Sequence, residues 1–162
     1  MYIGKKAFEN CISLNRINFP ESLCSIDNEA FLNCNSLERV IFSNKSILYR
    51  IGTKAFKDCV KLETIDFPEY LFYVGKQAFS TCVNLHFVSF SEESNTHIES
   101  RAFEFCLRLE KVKISSKIID NAEKDSFYAC NFNFKMRVSS FNEYGYRVLN
   151  FFELEDKGFI FL

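Results

Sequence analysis

Residues 51–68 read IGTKAFKDCVKLETIDFP, and this stretch decides the fold because the chain repeats it. Each copy contains an Ala-Phe pair, with a cysteine three residues after the phenylalanine. The pairs are Ala7-Phe8, Ala30-Phe31, Ala55-Phe56, Ala78-Phe79 and Ala102-Phe103, with Ser126-Phe127 as a weaker sixth. The cysteines that follow them, from Cys11 to Cys130, are separated by 23, 25, 23, 24 and 24 residues. So regular a period indicates six stacked structural units.

Each unit has two halves with different periodicities. Ile65 and Phe67 alternate with polar residues, which is the period of two expected of a short β-strand. The AFxxCxxL half has a spacing of three to four residues, which favours one turn of helix. A strand and a tight return cannot bury their own apolar side, so neighbouring units must stack. We therefore predict an α/β solenoid with one curved parallel sheet and short helical or irregular returns.

The repeat predicts two regions. Residues 1–138 form a solenoid of about six units, and residues 139–162 form a C-terminal cap or a degenerate extension. The sixth unit decays, since Ser126 replaces alanine and Asn133 replaces leucine, and such decay is typical of a terminal unit. The chain opens inside a unit at Ile3, so it is either a fragment of a longer array or a coil with an exposed end. An exposed end predicts self-association.

The motif IGxxAFxxCxxLxxIxFP, seen in residues 3–20 and 51–68, resembles the BspA-like class of leucine-rich repeats. The resemblance covers about residues 1–138 and implies the right-handed leucine-rich-repeat superhelix. It also implies a surface or secreted binding module used in adhesion, and hence a surface antigen. The sequence shows no secretory signal and no membrane anchor, so the compartment stays open.

Charge and hydropathy argue against nucleic-acid binding and against a membrane-spanning segment. The formal net charge is −1, which gives no global field for attracting nucleic acid. No stretch approaches the roughly 20 apolar residues needed to span a bilayer. We therefore expect neither nucleic-acid binding nor a membrane span.

The sequence favours no catalytic, metal or cofactor site. Seven cysteines are present but no CxxC motif occurs, so a ladder of buried free thiols is favoured over disulfides or a metal site. Cys24 lies off the ladder and is the best candidate for an exposed thiol. His86 and His97 are the only histidines, and neither lies in a recognisable catalytic motif. We expect no enzyme activity.

The candidate partner-binding face consists of the strand residues on either side of the inward isoleucine or valine. Its basic residues lie towards the two ends, and Ile41 and Phe87 lie between them. Such a face suits a protein partner with an acidic rim. Its first column is Arg16, Arg39, Thr64, Phe87, Lys111 and Lys135, and its second is Asn18, Ile41, Asp66, Ser89, Lys113 and Arg137.

Three functional hypotheses follow. The first is a non-enzymatic protein-binding or adhesion module, or an intracellular scaffold if the chain is not exported. The second is a segment of a longer structural array that self-associates through its N-terminal coil. The third is a thiol-dependent enzyme, which would need an unusually acidic cysteine.

Overall fold

The structure, a computed structural model, describes residues 1–130 and the backbone of two strands at 135–139 and 146–149. The predicted solenoid is confirmed, and its coils form two parallel sheets where the sequence predicted one. The small sheet contains β1 (Tyr2–Ile3), β3 (Ser25–Ile26), β5 (Arg50–Ile51), β7 (Tyr73–Val74) and β9 (His97–Ile98). The large sheet contains β2 (Arg16–Asn18), β4 (Arg39–Ile41), β6 (Thr64–Asp66), β8 (Phe87–Ser89), β10 (Lys111–Ser115), β11 (Lys135–Ser139) and β12 (Tyr146–Leu149).

The small sheet is the element that the sequence analysis missed. Each of its strands is only two residues long and ends on the repeat's inward residue, such as Ile26 or Ile51. Two residues are too few to show a period of two, so the sequence pattern gave no sign of a strand there. Each coil therefore crosses a sheet twice, once before and once after the AFxxC segment.

The AFxxC segment is a chain of turns rather than the single helical turn that the spacing favoured. Alternate N–H groups donate hydrogen bonds outside their own coil. The amides of Glu29, Phe31 and Asn33 donate to carbonyls of the next coil. The intervening amides of Ala30 and Leu32 donate within their own coil. A helix would use every amide internally, so it would leave the neighbouring coil's carbonyls unpaired.

This alternation requires left-handed backbone at two positions in each complete turn segment. In the third coil these are Lys54 and Asp58, with φ of 56° and 61°. Asparagine and aspartate tolerate this conformation better than most residues. The same position, directly before the ladder cysteine, is held by Asn10, Asn33, Asp58, Thr81, Phe105 and Ala129.

The core is a column of stacked phenylalanine rings. Adjacent rings have centroids 4.9 to 5.3 Å apart and planes within 8° of parallel. A second column of phenylalanines follows strands β2, β4, β6 and β8. Three of its members pack edge-on against the first column; the Phe67 and Phe79 rings, for example, meet at 67°. The first column is Phe8, Phe31, Phe56, Phe79, Phe103 and Phe127.

The C-terminal end of the stack departs from the repeat. Helix α1 (Ser116–Asn121) is capped by the Ser115 hydroxyl, which accepts from the Ile118 amide, and it packs against β9 and β10. Strand β12 pairs antiparallel with β11. The boundary predicted at residue 138 stays a prediction, because most of residues 139–162 lie outside the described part of the chain.

Glycines mark where neighbouring coils approach most closely. A Cβ on Gly75 would lie 2.7 Å from backbone atoms of Gly52 and Thr53, whereas one on Gly4 would meet nothing within 4 Å. Asp27 and Glu99 occupy the same repeat position in other coils. The backbone can therefore shift there to admit a side chain, which limits the cost of adding one.

We expect Gly75→Ala to lower the free energy of unfolding by about 1 to 3 kcal/mol, the usual cost of overpacking. Gly4→Ala is the matched control, because it adds the same methyl group at the same repeat position into open space. It should change stability by less than about 0.5 kcal/mol. Thermal or urea unfolding of both variants measures the difference, and equal losses would contradict the packing argument.

Candidate binding face and thiol ladder

The two predicted columns are adjacent rows on the large sheet. Parallel pairing aligns Arg16 with Arg39 and Arg39 with Thr64. It continues from Thr64 to Phe87 and from Phe87 to Lys111. The inward residues between the rows, such as Val40 and Val88, are buried, so the predicted residues point outward. The second row follows the same register from Asn18 and Ile41, through Asp66, Ser89 and Lys113.

Two members of the predicted face can be placed only by their backbone. Lys135 aligns with Lys111 and Arg137 aligns with Lys113, because β11 continues the parallel ladder. The side chains of Lys135 and Arg137 lie outside the described residues. Their position at the end of both rows agrees with the repeat alignment.

A column of acidic residues runs beside the predicted rows and makes the face mixed in charge. Backbone hydrogen bonds join Glu38, Glu63, His86 and Glu110 in successive coils, with N to O distances of 2.9 to 3.4 Å. The Lys113 ammonium forms an ion pair with Glu92 at 3.0 Å. A wholly acidic partner would therefore meet carboxylates as well as cations on this surface.

Two open depressions meet at the centre of this face. One, of about 350 Å³, is lined by Arg39, Ile41 and Asp66 among others. The second, of about 500 Å³, is lined by Asn84, Arg108 and Glu110. Both depressions share Glu63 and His86. An exposed pair of carboxylates flanking a histidine can accept hydrogen bonds from the cationic side chain of a partner.

Sequence reasoning did not bring Glu63 and His86 together. It considered His86 only as a catalytic candidate outside any recognisable motif, and it took Glu38, Glu63 and Glu110 only as neighbours of the predicted rows. In the structure the coils on either side place Glu63 and Glu110 next to His86 in the backbone ladder. The available signal was the repeat position just before each large-sheet strand, which is acidic in three of the six units.

The cysteines form the predicted ladder of buried free thiols from Cys34 to Cys130. Each thiol donates a hydrogen bond to the phenylalanine carbonyl of the preceding coil, at an Sγ to O distance of 3.1 to 3.3 Å. This bond satisfies a carbonyl that faces the core. The ladder is therefore part of the packing between coils.

Burial raises the pKa values of four of these thiols and so favours their protonated form. Loss of solvent raises the pKa of Cys34 to about 11, and it also raises the pKa values of Cys59, Cys82 and Cys106. An activated catalytic thiol needs the opposite shift. Because the folded pKa lies above the unfolded value of roughly 8.5, the protonated thiols contribute fully to the free energy of unfolding below that pH. For Cys34 this contribution is lost as the pH rises through about 11.

Two cysteines differ from the ladder. Cys11 is half-buried in the first coil, and Cys24 is half-buried in a connection. The Cys24 sulfur lies 3.7 Å from the N-terminal ammonium and 3.5 Å from the Ser22 carbonyl oxygen. Partial exposure leaves these two thiols the most accessible in residues 1–130.

Among the described residues, no helix is both long enough and apolar enough to cross a lipid bilayer.

Comparison with known proteins agrees with the geometry. A model of the BspA type leucine rich repeat region matches residues 1–147 in six copies. The chain is similar to the solved leucine rich repeat protein of Treponema pallidum, at 29% identity and a TM-score of 0.69 over 85% of this chain and 61% of that one. It is also similar to a leucine rich cell surface protein of Faecalibacterium prausnitzii A2-165, at 26% identity and a TM-score of 0.58. That match covers 85% of this chain and 42% of the other. The chain thus spans less than two thirds of either structure. A search of curated proteins found no match.

We expect a thiol reagent such as dithionitrobenzoate to label at most two cysteines rapidly in the native protein at pH 8. Cys11 and Cys24 are the accessible thiols, while the thiols from Cys34 to Cys130 are buried. All seven cysteines should react after unfolding in guanidinium. Cys24→Ser should remove one rapid thiol and leave the slow ones unchanged. Rapid labelling of three or more native thiols would show that the ladder is open to solvent.

Proposed function

Since the chain belongs to the BspA type leucine-rich-repeat family, whose members are repeat scaffolds that commonly mediate protein interactions, we propose that it is a non-enzymatic protein-binding module. The observation that carries this proposal is the outward face of the large sheet. On this face the two rows of outward residues lie beside two adjoining depressions, and Glu63 and His86 line both depressions. Repeat scaffolds bind through extended surfaces of this kind.

The partner chemistry follows from the charges of that face. Arg39 and Lys111 provide donors for carboxylates, and Glu63 and Glu110 accept a cationic side chain. Ile41 adds an exposed apolar contact between the charged residues. The ligand is therefore a protein segment that carries both signs of charge around an apolar residue.

An adhesive role is the use that we propose for this binding. The similar protein of Faecalibacterium prausnitzii is a leucine rich cell surface protein, which supports display at a surface. The large-sheet face would then contact a protein outside the cell. If the chain stays inside the cell, the same face would bind protein partners of an intracellular scaffold.

We expect peptides selected from a random phage-displayed library on the immobilised chain to carry acidic and basic residues flanking an apolar one. Arg39→Glu combined with Lys111→Glu should weaken the selected peptides at least about tenfold, because it removes two exposed ion pairs of up to about 1 kcal/mol each and sets like charges against each other in their place. Calorimetric titration measures the affinity.

Lys54→Glu combined with Lys57→Glu is the matched control, because it reverses the same number of charges in the segment between the two sheets. It should leave peptide affinity unchanged. Selected peptides that bind the Arg39 and Lys111 double variant as tightly as the parent would refute the assignment of this face.

A second candidate function is a structural one, in which the N-terminal coil receives another coil. Strands β1 and β2 are the edges of their sheets. Inner coils accept amides of the preceding coil on the carbonyls of Asn28, Ala30 and Leu32. The first coil presents the matching carbonyls and the open space beside Gly4. This face thus has the acceptors and the room that a further coil of the same type requires.

This candidate ranks second because the other end of the described chain does not match an inner coil. Helix α1 follows β10, where the described part of the earlier coils has no helix, and it packs against β9. Strand β12 runs antiparallel to its neighbour. A head-to-tail stack of identical copies would have to displace this end.

If identical copies do stack head to tail, sedimentation velocity should show oligomers that keep growing with concentration, as open heterologous contacts require. Gly4→Ala should weaken that growth without unfolding the protein, because its methyl group would meet the stacked coil as a Cβ on Gly52 would meet Asn28, at 2.6 Å. Overpacking of this kind costs about 1 to 3 kcal/mol per contact. Open-ended growth that is equally strong in Gly4→Ala would place the contact elsewhere.

A further inference from the structure

An apolar patch lies on the side of the molecule that carries the small sheet. Ile47, Tyr49, Tyr70 and Phe72 are 48%, 50%, 61% and 59% exposed. They are four of the ten large exposed apolar side chains in the described residues. We call these four residues the aromatic patch.

The four side chains belong to two adjacent coils. The Phe72 amide donates to the Tyr49 carbonyl at 2.9 Å, which places these two residues side by side. Ile47 and Tyr70 lie two residues earlier in the same two coils. Leu48 and Leu71, which separate the members of each pair, are buried in the core. The patch is therefore a two-by-two block held on an anchored backbone.

The side chains at the sheet edge of the patch are held in place by contacts with one another. The Arg50 guanidinium lies 5.4 Å from the centre of the Tyr73 ring and forms an ion pair with Asp27 at 3.6 Å. The Tyr73 ring in turn lies 6.1 Å from the His97 ring. A surface that is already ordered loses little conformational entropy when it binds, so more of its contact energy appears as affinity.

The patch has the composition and size of one side of a protein interface. Tyrosine, phenylalanine and arginine are enriched in interface cores, whereas lysine and glutamate are depleted. Aromatic side chains bury roughly 150 to 250 Å² each when fully covered, so four half-exposed groups offer on the order of 400 Å². A standard interface buries about 800 Å² per partner, of which a little over half is apolar.

The charges along the patch are complementary to those of a second copy of the chain. Glu69 precedes Tyr70 on the connection side, and Lys76 follows Gly75 on the sheet side. Both side chains are exposed. A two-fold axis that lies in the patch and runs along the stack of coils places the Glu69 edge of one copy against the Lys76 edge of the other. Such a contact is isologous, so it closes at two subunits.

We propose that the aromatic patch is a dimer interface, in which two copies of this chain pack their small-sheet sides together around a two-fold axis. Ring contacts between Tyr49, Phe72 and their symmetry mates form its centre. The opposite charges of Glu69 and Lys76 set the orientation. This interface is separate from the large-sheet face and from the N-terminal coil.

Sedimentation equilibrium of the full chain, from low micromolar to several hundred micromolar, tests this interface. We expect a monomer–dimer equilibrium with no larger species. Tyr49→Ser combined with Phe72→Ser should raise the dissociation constant at least about tenfold. The matched control is Phe105→Ser combined with Leu107→Ser, which removes two exposed apolar side chains elsewhere and should leave the dissociation constant unchanged.

A charge exchange tests the two-fold geometry separately from the apolar contact. Glu69→Lys alone and Lys76→Glu alone should each weaken the dimer, because each places like charges against one another across the interface. The double variant restores opposite charges and should recover most of the lost affinity. Circular dichroism verifies that every variant keeps the native fold.

Three results would overturn the proposal. The first is a monomer at every concentration. The second is a dimer whose dissociation constant is the same for the Tyr49 and Phe72 double variant and for its control. The third is association that Gly4→Ala weakens, which would assign the contact to the N-terminal coil. Failure of the dimer would leave the peptide-binding result on the large-sheet face unaffected.

Discussion

The structure depends on one constraint, namely that each coil must satisfy the buried backbone groups of its neighbours. A coil of about 24 residues has too little interior to pair its own amides and carbonyls away from water. Alternate amides of the AFxxC segment therefore donate to the next coil, and the ladder thiols donate back to the preceding one. Because alternate amides have a fixed partner one coil away, the chain can tolerate little change in the length of the turn segment. The stacked phenylalanines are held in the same register by this network.

The stacking constraint explains which features were predictable from sequence. The six-unit solenoid, its inward residues and its thiol ladder all repeat with the period, so they can be read from the spacing alone. The turn segment could not be read in this way, because alternation of amides between two coils leaves the same apolar spacing as a helical turn. Residues such as Lys54 and Thr81 adopt a left-handed backbone without being glycine, so no residue type marks them. The two-residue strands were missed because their pattern is too short to show a period.

The candidate binding face was likewise predicted only in part from the sequence. Its two rows follow from the repeat alignment, and the strand pairing gives them the predicted register. The acidic column also follows from the alignment, since Glu38, Glu63 and Glu110 share one repeat position. The two depressions depend instead on the shape of the surface between coils, which a sequence pattern does not describe. The aromatic patch was missed for a different reason. Ile47 and Tyr70 lie in connections of variable length, where the repeat alignment assigns no inward or outward side.

The same constraint also determines where function can evolve in this chain. Inward positions must match their neighbours in adjacent coils, so a change there disturbs several contacts at once. Outward positions carry no such obligation, and each coil can present different residues on its two sheets. Because the two sheets lie on different parts of each coil, a dimer formed through the small-sheet side leaves both large-sheet faces open. A ligand with two binding segments then meets the second face at a high effective concentration, so modest affinity at each face becomes strong attachment. A module with a mixed-charge, largely solvated face gains more from this arrangement than one with a deep pocket, because each of its single contacts is weak.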